Sequence, residues 1–311
     1  MTRDIALGAG REFDVIRLLL NRWGSRADGI GDDAALVALP VGEQLVVSTD
    51  TSVEDVHFRR EWLSPREIGY RATTAALSDL AAMAARPTGI LVALTLPEAW
   101  LPDVMDLADG IGEAAAAAGA SIIGGDLTRG RDLALAVTVL GATARPLSRS
   151  GARAGDGLYV TGILGGPREA VAAWTHGAAP SVWARERFAH PTARFREAQW
   201  LAEHGATAAV DISDGLVADV GHLAHASGAR ATVHLERVLH GGGSSVERAA
   251  ASGEEYELVV TGPESLDTAK FERAFGVPLT RVGSIADGAP GVDAFLHGER
   301  VAPPSGWDHF S

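Results

Sequence analysis

The chain is 311 residues long and 46% hydrophobic, has no cysteine, and sets 27 basic residues against 40 acidic ones for a formal charge of −13. The missing thiols exclude disulfides, thiolate metal centres and a cysteine nucleophile, and the acidic balance argues against a nucleic-acid backbone as partner. No apolar stretch approaches the ~20 residues of a membrane span and the start lacks the apolar core of a signal peptide, so a cytoplasmic protein with no membrane partner is expected.

In chain order, residues 11–23 read as an amphipathic helix with Phe13, Ile16, Leu19 and Leu20 on one side. The polar run GSRADGIGDDAA follows. QLVVSTD reads as a strand stopping at Asp50, and Pro65 opens the next helix, residues 64–85. TGILVALTLP is a strand, residues 103–119 a helix closed by Gly119, SIIGGD a short strand, and LALAVTVLGAT another. RPLSRSGARAGDG is polar and aperiodic, so a boundary falls there, giving domains at 1–145 and 146–311. GLYVTG opens the second half as a strand. Helices are expected from Arg168 to Trp174 and between Pro191 and His204. ATAAVDIS is a strand, DGLVADVGHLAHASG a helix, and EYELVVTG and LTRVGSI late strands. Strands and helices alternate in both halves, which predicts two α/β domains in tandem.

The aspartates carry the chemical signal. Asp32 and Asp33 lie in a glycine-flanked loop, Asp50 and Asp126 are placed at strand ends, and Asp211 and Asp214 bracket a third strand's end. Any one of them is explained as a helix cap. Together they suggest clustering, and two carboxylates ~4 Å apart repel by roughly 4 kcal/mol at a surface-like dielectric unless cations offset the charge. Asp79 falls in ATTAALSDLAAMAA, apolar almost all round, so a buried carboxylate is expected there. Its partner is either a metal ion or a neighbouring backbone group. Lys270 is the sole lysine and no Gly-x-x-x-x-Gly-Lys occurs, so phosphates are not held by that kind of loop. Oxygen ligands suit Mg2+, which bridges phosphates in phosphoryl transfer. Glycines 31, 124, 125 and 215 beside the acids would let phosphates approach the backbone. His57 reads as ligand, general base or structural residue. Trp307, in the terminal GWDHF, packs on either the core or a planar ligand.

IGDDAA, VVSTDTSVEDVHF, ALSDLAAMAA, GGDLTRG, VDISDGLVADVGHLA, SGEEYEL and GWDHF, in order over nearly the whole chain, together resemble the thiamine-monophosphate kinase family of the aminoimidazole-ribonucleotide synthetase-like superfamily. The resemblance implies a two-domain α/β fold whose N-terminal domain forms a β-barrel with a second subunit, and a C-terminal α/β domain that completes an active site between the two. It implies a homodimer that uses ATP and several Mg2+ ions to phosphorylate thiamine monophosphate directly; a monovalent-cation requirement is left open. By the same resemblance Asp33, Ser48, Thr49, Asp50, Asp79, Asp126, Asp211 and Asp214 form the metal shell, with Asp214, Asp50 and Asp79 at the chemistry. Gly125, Asp126, Arg149 and Ser213 meet ATP, and His57, Glu254 and Trp307 meet the substrate.

Departures from the family pattern are Glu255 for a usual Asp, Leu127 for Thr, Ala84 for Gly, and no aromatic in the 103–119 helix. They leave the geometry of the SGEEYEL loop and the base preference open. The rivals are a catalytically silent sensor of nucleotide or thiamine phosphate and another enzyme of the superfamily, several of which use the cysteine absent here.

Overall fold

The structure, a computed structural model, describes residues 11–27 and 37–306. Asp33 and Trp307 lie outside that range, as do Asp32, Gly31 and the rest of the GWDHF end beyond Gly306. The chain divides into two compact units at Ala144/Arg145, with Ala81–Ala85 joining the second.

The first unit is built on a four-stranded sheet in the order β1 (Gln44–Val53), β4 (Ala134–Thr143), β2 (Arg86–Leu96), β3 (Ser121–Arg129). Only the β2–β3 pairing is parallel. Among the described residues three α-helices accompany it: α1 (Arg11–Trp23), α2 (Pro65–Ala82) and α3 (Val104–Ala118). Trp23 ties α1 to α3 by donating its indole N–H to the Ala108 carbonyl at 2.8 Å. Between α2 and α3 only glycine fits at the crossing: a Cβ on Gly110 would lie 1.8 Å from the Arg66 carbonyl oxygen, and one on Gly69 2.2 Å from that of Leu107.

Ile90, Val92, Leu94, Leu135, Val137, Val139 and Ile122 form the buried face of the sheet. The other face carries Leu45 and Val47, 45% and 54% exposed, with Thr49, Thr51 and Thr138. β1 runs three residues past Asp50 and β3 three past Asp126, so both acids sit inside strands rather than at strand ends. Among the described residues both are edge strands, where a charge is tolerated because one side of the strand is unpaired.

The second unit holds a seven-stranded mixed sheet in the order β11 (Glu299–Val301), β10 (Gly291–Leu296), β7 (Arg230–His234), β9 (Leu279–Ala286), β5 (Gly157–Thr161), β8 (Leu258–Gly262), β6 (Ala208–Asp211). β5, β6 and β8 are buried along their whole length, because both faces are covered. Leu158, Val160, Val210 and Val259 pack with Leu216, Val220 and Leu223 of α7 (Leu216–Ser227). Tyr159, Ala209, Leu258 and Val260 pack on the opposite side with Leu201 of α6 (Phe195–Glu203) and Phe271 of α9 (Thr268–Phe275). α4 (Gly166–Thr175), α5 (Val182–Ala189) and α8 (Val246–Ala250) complete the unit. Ala84 packs into this second core with φ of 52°, a left-handed conformation that explains the glycine usual at this position of the resembling family.

Candidate active site

In the first unit, alternation on β1 points Ser48 and Asp50 to the face of Val139 and Val137, and Thr49 to that of Thr138. Ser48 donates its hydroxyl to Asp79 Oδ2 at 2.5 Å, joining β1 to α2. α2 is buried from Arg71 to Ser78, as its apolar sequence suggests, yet Asp79 itself is half-buried and already has a hydroxyl partner. The expectation of a fully buried carboxylate is therefore corrected: the helix turns this one polar side chain toward the open part of β1. Asp50 accepts from the Thr51 amide at 2.7 Å, and Thr138 donates to the Thr49 hydroxyl at 3.1 Å.

Gly125 and Asp126 lie at the other edge of the sheet. Asp126 shares its rung with Ala93, Ala136 and Thr51, on the face opposite Asp50. Three strand spacings separate them, about 14 Å along the sheet. A Cβ on Gly125 would lie 2.0 Å from the Val92 carbonyl oxygen, so strand packing alone already demands this glycine.

His57 sits in a turn stapled by its neighbours. Phe58 is 2% exposed, and Glu54 accepts from the Trp100 indole at 2.9 Å and the Leu133 amide at 3.3 Å. The Val53 amide donates to His57 Nδ1 at 3.1 Å, so in this neutral tautomer the proton is on Nε2.

In the second unit, Asp211 ends β6 and is 4% exposed. The chain then turns through Ile212–Gly215 into α7. The amides of Ser213, Asp214 and Gly215 all donate to one oxygen, Asp219 Oδ2, at 3.2, 3.1 and 3.0 Å. Gly215 supplies the positive φ of 129° that the turn requires. A second loop lies against the first. The Glu254 amide donates to the Ser213 carbonyl at 2.7 Å, and the Glu255 and Tyr256 amides both donate to that of Ile212 at 3.0 Å. A Cβ on Gly253 would lie 2.5 Å from the Ser213 carbonyl oxygen. Glu254 and Tyr256 themselves have φ of 57° and 54°, and these hydrogen bonds hold that strained backbone in place.

Charge is concentrated behind these loops. Glu255 and Glu257 are each 1% exposed. Burial would raise Glu257, but the Arg194 guanidinium, bonding its two oxygens at 2.8 and 2.5 Å, holds it below its ordinary range, helped by Arg187 and Thr161. Glu255 accepts from the Gly165 amide at 2.5 Å and has one long contact to Arg187, 3.3 Å, so burial pushes it up to about 7. The family departure at Glu255 thus builds a definite arrangement: the longer side chain reaches Gly165 and Arg187 while Glu254 stays half-buried at the surface. Burial, with Asp211 and Asp214 nearby, pushes Asp219 up to about 7.

One ligand atom from each of Asp214, Asp219 and His222 lies within 4.8 Å of the others. Asp219 and His222 were not singled out in the sequence; the signal available was an acid in the first turn of a helix after Asp-Gly and a histidine one turn on. A recess of about 370 Å³ beside them is lined by Ala218, His222, His225, Val292 and Pro303–Gly306. Arg149 is exposed, and its carbonyl accepts from Ser227 at the end of α7 at 2.7 Å. The acids named here, with Ser48 and Thr49, offer oxygen alone, a donor chemistry that fits Mg2+.

The mixed-sheet α/β fold is like that of the AIR synthase related proteins, and residues 31–143 match the N-terminal domain of that family. The thiamine-monophosphate kinase of Salmonella typhimurium is 35% identical, over 96% of this chain and 98% of the relative. The crystal structure of the thiamine-monophosphate kinase from Stenotrophomonas maltophilia is 35% identical, with a TM-score of 0.80, covering 91% of this chain and 97% of that one. AaThiL complexed with AMPPCP and TMP is 29% identical, with a TM-score of 0.77 and coverages of 96% and 97%. This chain belongs to the thiamine-monophosphate kinase family. No helix among the described residues is long and apolar enough to cross a membrane.

Proposed function

We propose that the protein is a thiamine-phosphate kinase that transfers the γ-phosphoryl group of ATP to thiamine monophosphate, giving thiamine diphosphate and ADP. The observation that carries this reading is the oxygen-only donor set at the family's motif positions, with Ser48 joined to Asp79 and Asp214 beside Asp219. Asp33, Ser48, Thr49, Asp50, Asp79, Asp126, Asp211 and Asp214 would hold Mg2+. When bound, Mg2+ neutralises phosphate charge at the reacting centre.

The protein's own groups then bind and orient. The Nε2 proton of His57 suits an acceptor phosphate oxygen, Arg149 supplies a cation for ATP, and Ser213 and Gly125 contact the nucleotide. Glu254 offers a carboxylate to the cationic thiazolium, and Trp307 a flat face to the rings. In the reaction, an oxygen of the thiamine phosphate attacks the γ-phosphorus in line, and the bond to the bridging oxygen of the β-phosphate breaks to release ADP. A phosphate monoester's second pKa is about 6, so the attacking oxygen is already ionised at neutral pH and needs no strong base.

The active form in this reading is a homodimer. The half-exposed face with Leu45 and Val47, and the edges β1 and β3, unpaired among the described residues, support closure of the sheet by a second copy. Pairing β1 of one copy with β3 of the other would also bring Asp126 of the second copy to the Ser48–Asp50 strand.

Incubating purified protein with ATP, Mg2+ and thiamine monophosphate tests the function. Equal amounts of thiamine diphosphate and ADP are expected, and chelation should abolish both. Binding of both substrates without product would instead identify a silent sensor.

A further inference from the structure

The pair of loops in the second unit has a common anchor that the reaction does not itself require. Asp219 is 2% exposed, and one of its oxygens receives the consecutive amides of Ser213, Asp214 and Gly215. Those amides cannot also bond within α7, because they precede its first residue, Leu216. A side chain from the first turn of the helix therefore reaches back and fixes the loop that leads into it. The reverse side of the same loop offers the carbonyls of Ile212 and Ser213, which receive the amides of Glu254, Glu255 and Tyr256. The four-residue turn is thus held on both sides. Three of its amides face Asp219, its Ile212 and Ser213 carbonyls face the loop bearing Glu254, and Gly253 allows the two backbones to meet.

We propose that Asp219 is a positioning residue that sets Asp214 and Ser213 on one loop and Glu254 on the other as a single unit, coupling metal-dependent nucleotide binding to binding of the acceptor. This rests on the kinase reading above. Removing the carboxylate frees three amides at once, and the turn loses its fixed relation to both loops. The distance between the acid that meets the metal and the acid that meets the substrate is then no longer set.

The experiment compares Asp219→Ala with Asp219→Asn, which keeps an acceptor oxygen of the same reach. Hydrogen exchange of the 212–216 and 253–257 amides is read alongside steady-state kinetics over Mg2+, ATP and thiamine monophosphate. Expected for Asp219→Ala are faster exchange in both segments and a rise of about tenfold in both the half-saturating Mg2+ concentration and the KM for thiamine monophosphate. Asp219→Asn should restore the slow exchange and most of both constants. Should Asp219→Asn lose Mg2+ response as fully as Asp219→Ala while keeping slow exchange, Asp219 is a metal ligand and the positioning role is wrong. Faster exchange in the first segment alone, or a change in one constant alone, would overturn the coupling. The exchange readout needs no turnover. A wild-type protein that protects these amides but makes no thiamine diphosphate would overturn the kinase reading and leave the Asp219 anchor standing. If Asp219→Ala does not fold, the same constants and exchange rates in Asp219→Asn decide: values displaced as far as tenfold would refute the anchor, and near-wild-type values support it.

Discussion

The two acidic regions solve the same electrostatic problem in opposite ways. On β1, α2 and β3 the candidate ligands ride on regular elements, partly open to solvent, with one hydroxyl partner in place at Asp79. Around residues 212–215 and 252–257, Ser213, Asp214 and Glu254 ride on irregular loops, yet each turn of backbone is bonded to another loop or to a buried carboxylate. Strands need no help to hold a side chain in position, because the ladder does so. Loops do, and here the help comes from Asp219 and from the Glu255–Arg187 and Glu257–Arg194 contacts behind them. The first region should therefore respond to mutation mainly in metal dependence, and the second also in stability wherever the buried carboxylates behind its loops are changed.

Asp214→Asn and Asp50→Asn are the severest tests. Each keeps side-chain volume and removes one charge from a proposed Mg2+ shell. Turnover should fall by about 10³-fold or more, with the melting temperature changed little. Full turnover of either variant at low Mg2+ would remove that residue from the shell. Next is Glu257→Gln, which removes the carboxylate that the buried Arg194 guanidinium holds by two short hydrogen bonds and leaves it the longer contact to Glu197 at 3.4 Å. Breaking a buried pair in this way costs about 3–5 kcal/mol at neutral pH, read from urea midpoints.

The pH signs of the two buried glutamates differ. Glu257 has a folded-state pKa below its ordinary 4.5, so its contribution is present above that value and is lost as pH falls through the folded-state value. Glu255, pushed up to about 7, works the other way: its contribution is fully present below 4.5 and is lost as pH rises toward 7. Glu257→Gln should therefore flatten the acid side of the stability profile, and Glu255→Gln the rise in stability between pH 7 and 4.5.

What could be read from the sequence follows from range of interaction. The strand ending at Asp211, the glycine turn and the helix to Ser227 are local signals, and all three were legible. The sequence pattern places Asp50 and Asp126 at strand ends. Their place inside edge strands depends on sheet order, which periodicity does not carry. Asp219 is not legible as an anchor, since nothing in the spelling shows three amides converging on it. The pairing of Arg194 with Glu257 spans 63 residues and was equally invisible. α5, β7, α9 and β10 are not legible in the sequence, because eight residues or fewer give too little periodicity to separate from loop.

Val47→Asp probes the exposed sheet face of the first unit. Val47 is 54% exposed, so a lone copy tolerates the charge with a stability change within about 0.5 kcal/mol. Two copies closing over that face would bury it, and light scattering should then report monomers. A dimer unaffected by this change would locate the contact elsewhere.

The mildest change, Ser48→Ala, isolates a contact that joins a strand acid site to a helix acid site. It deletes the hydroxyl that donates to Asp79 at 2.5 Å and nothing else, since alanine fits the strand. Asp79 is half-buried, so water replaces the lost donor, and stability should drop by about 1 kcal/mol. The hydroxyl's second role is as a proposed Mg2+ ligand, and the two roles separate with Ser48→Thr. Threonine keeps an oxygen at the same atom position and is favoured in strands. Initial rates against Mg2+ at saturating ATP and thiamine monophosphate should show a several-fold higher requirement for Ser48→Ala and near-normal behaviour for Ser48→Thr. An unchanged requirement in Ser48→Ala would mean that α2 alone aims Asp79, and that the acids of this unit need no hydroxyl to act together.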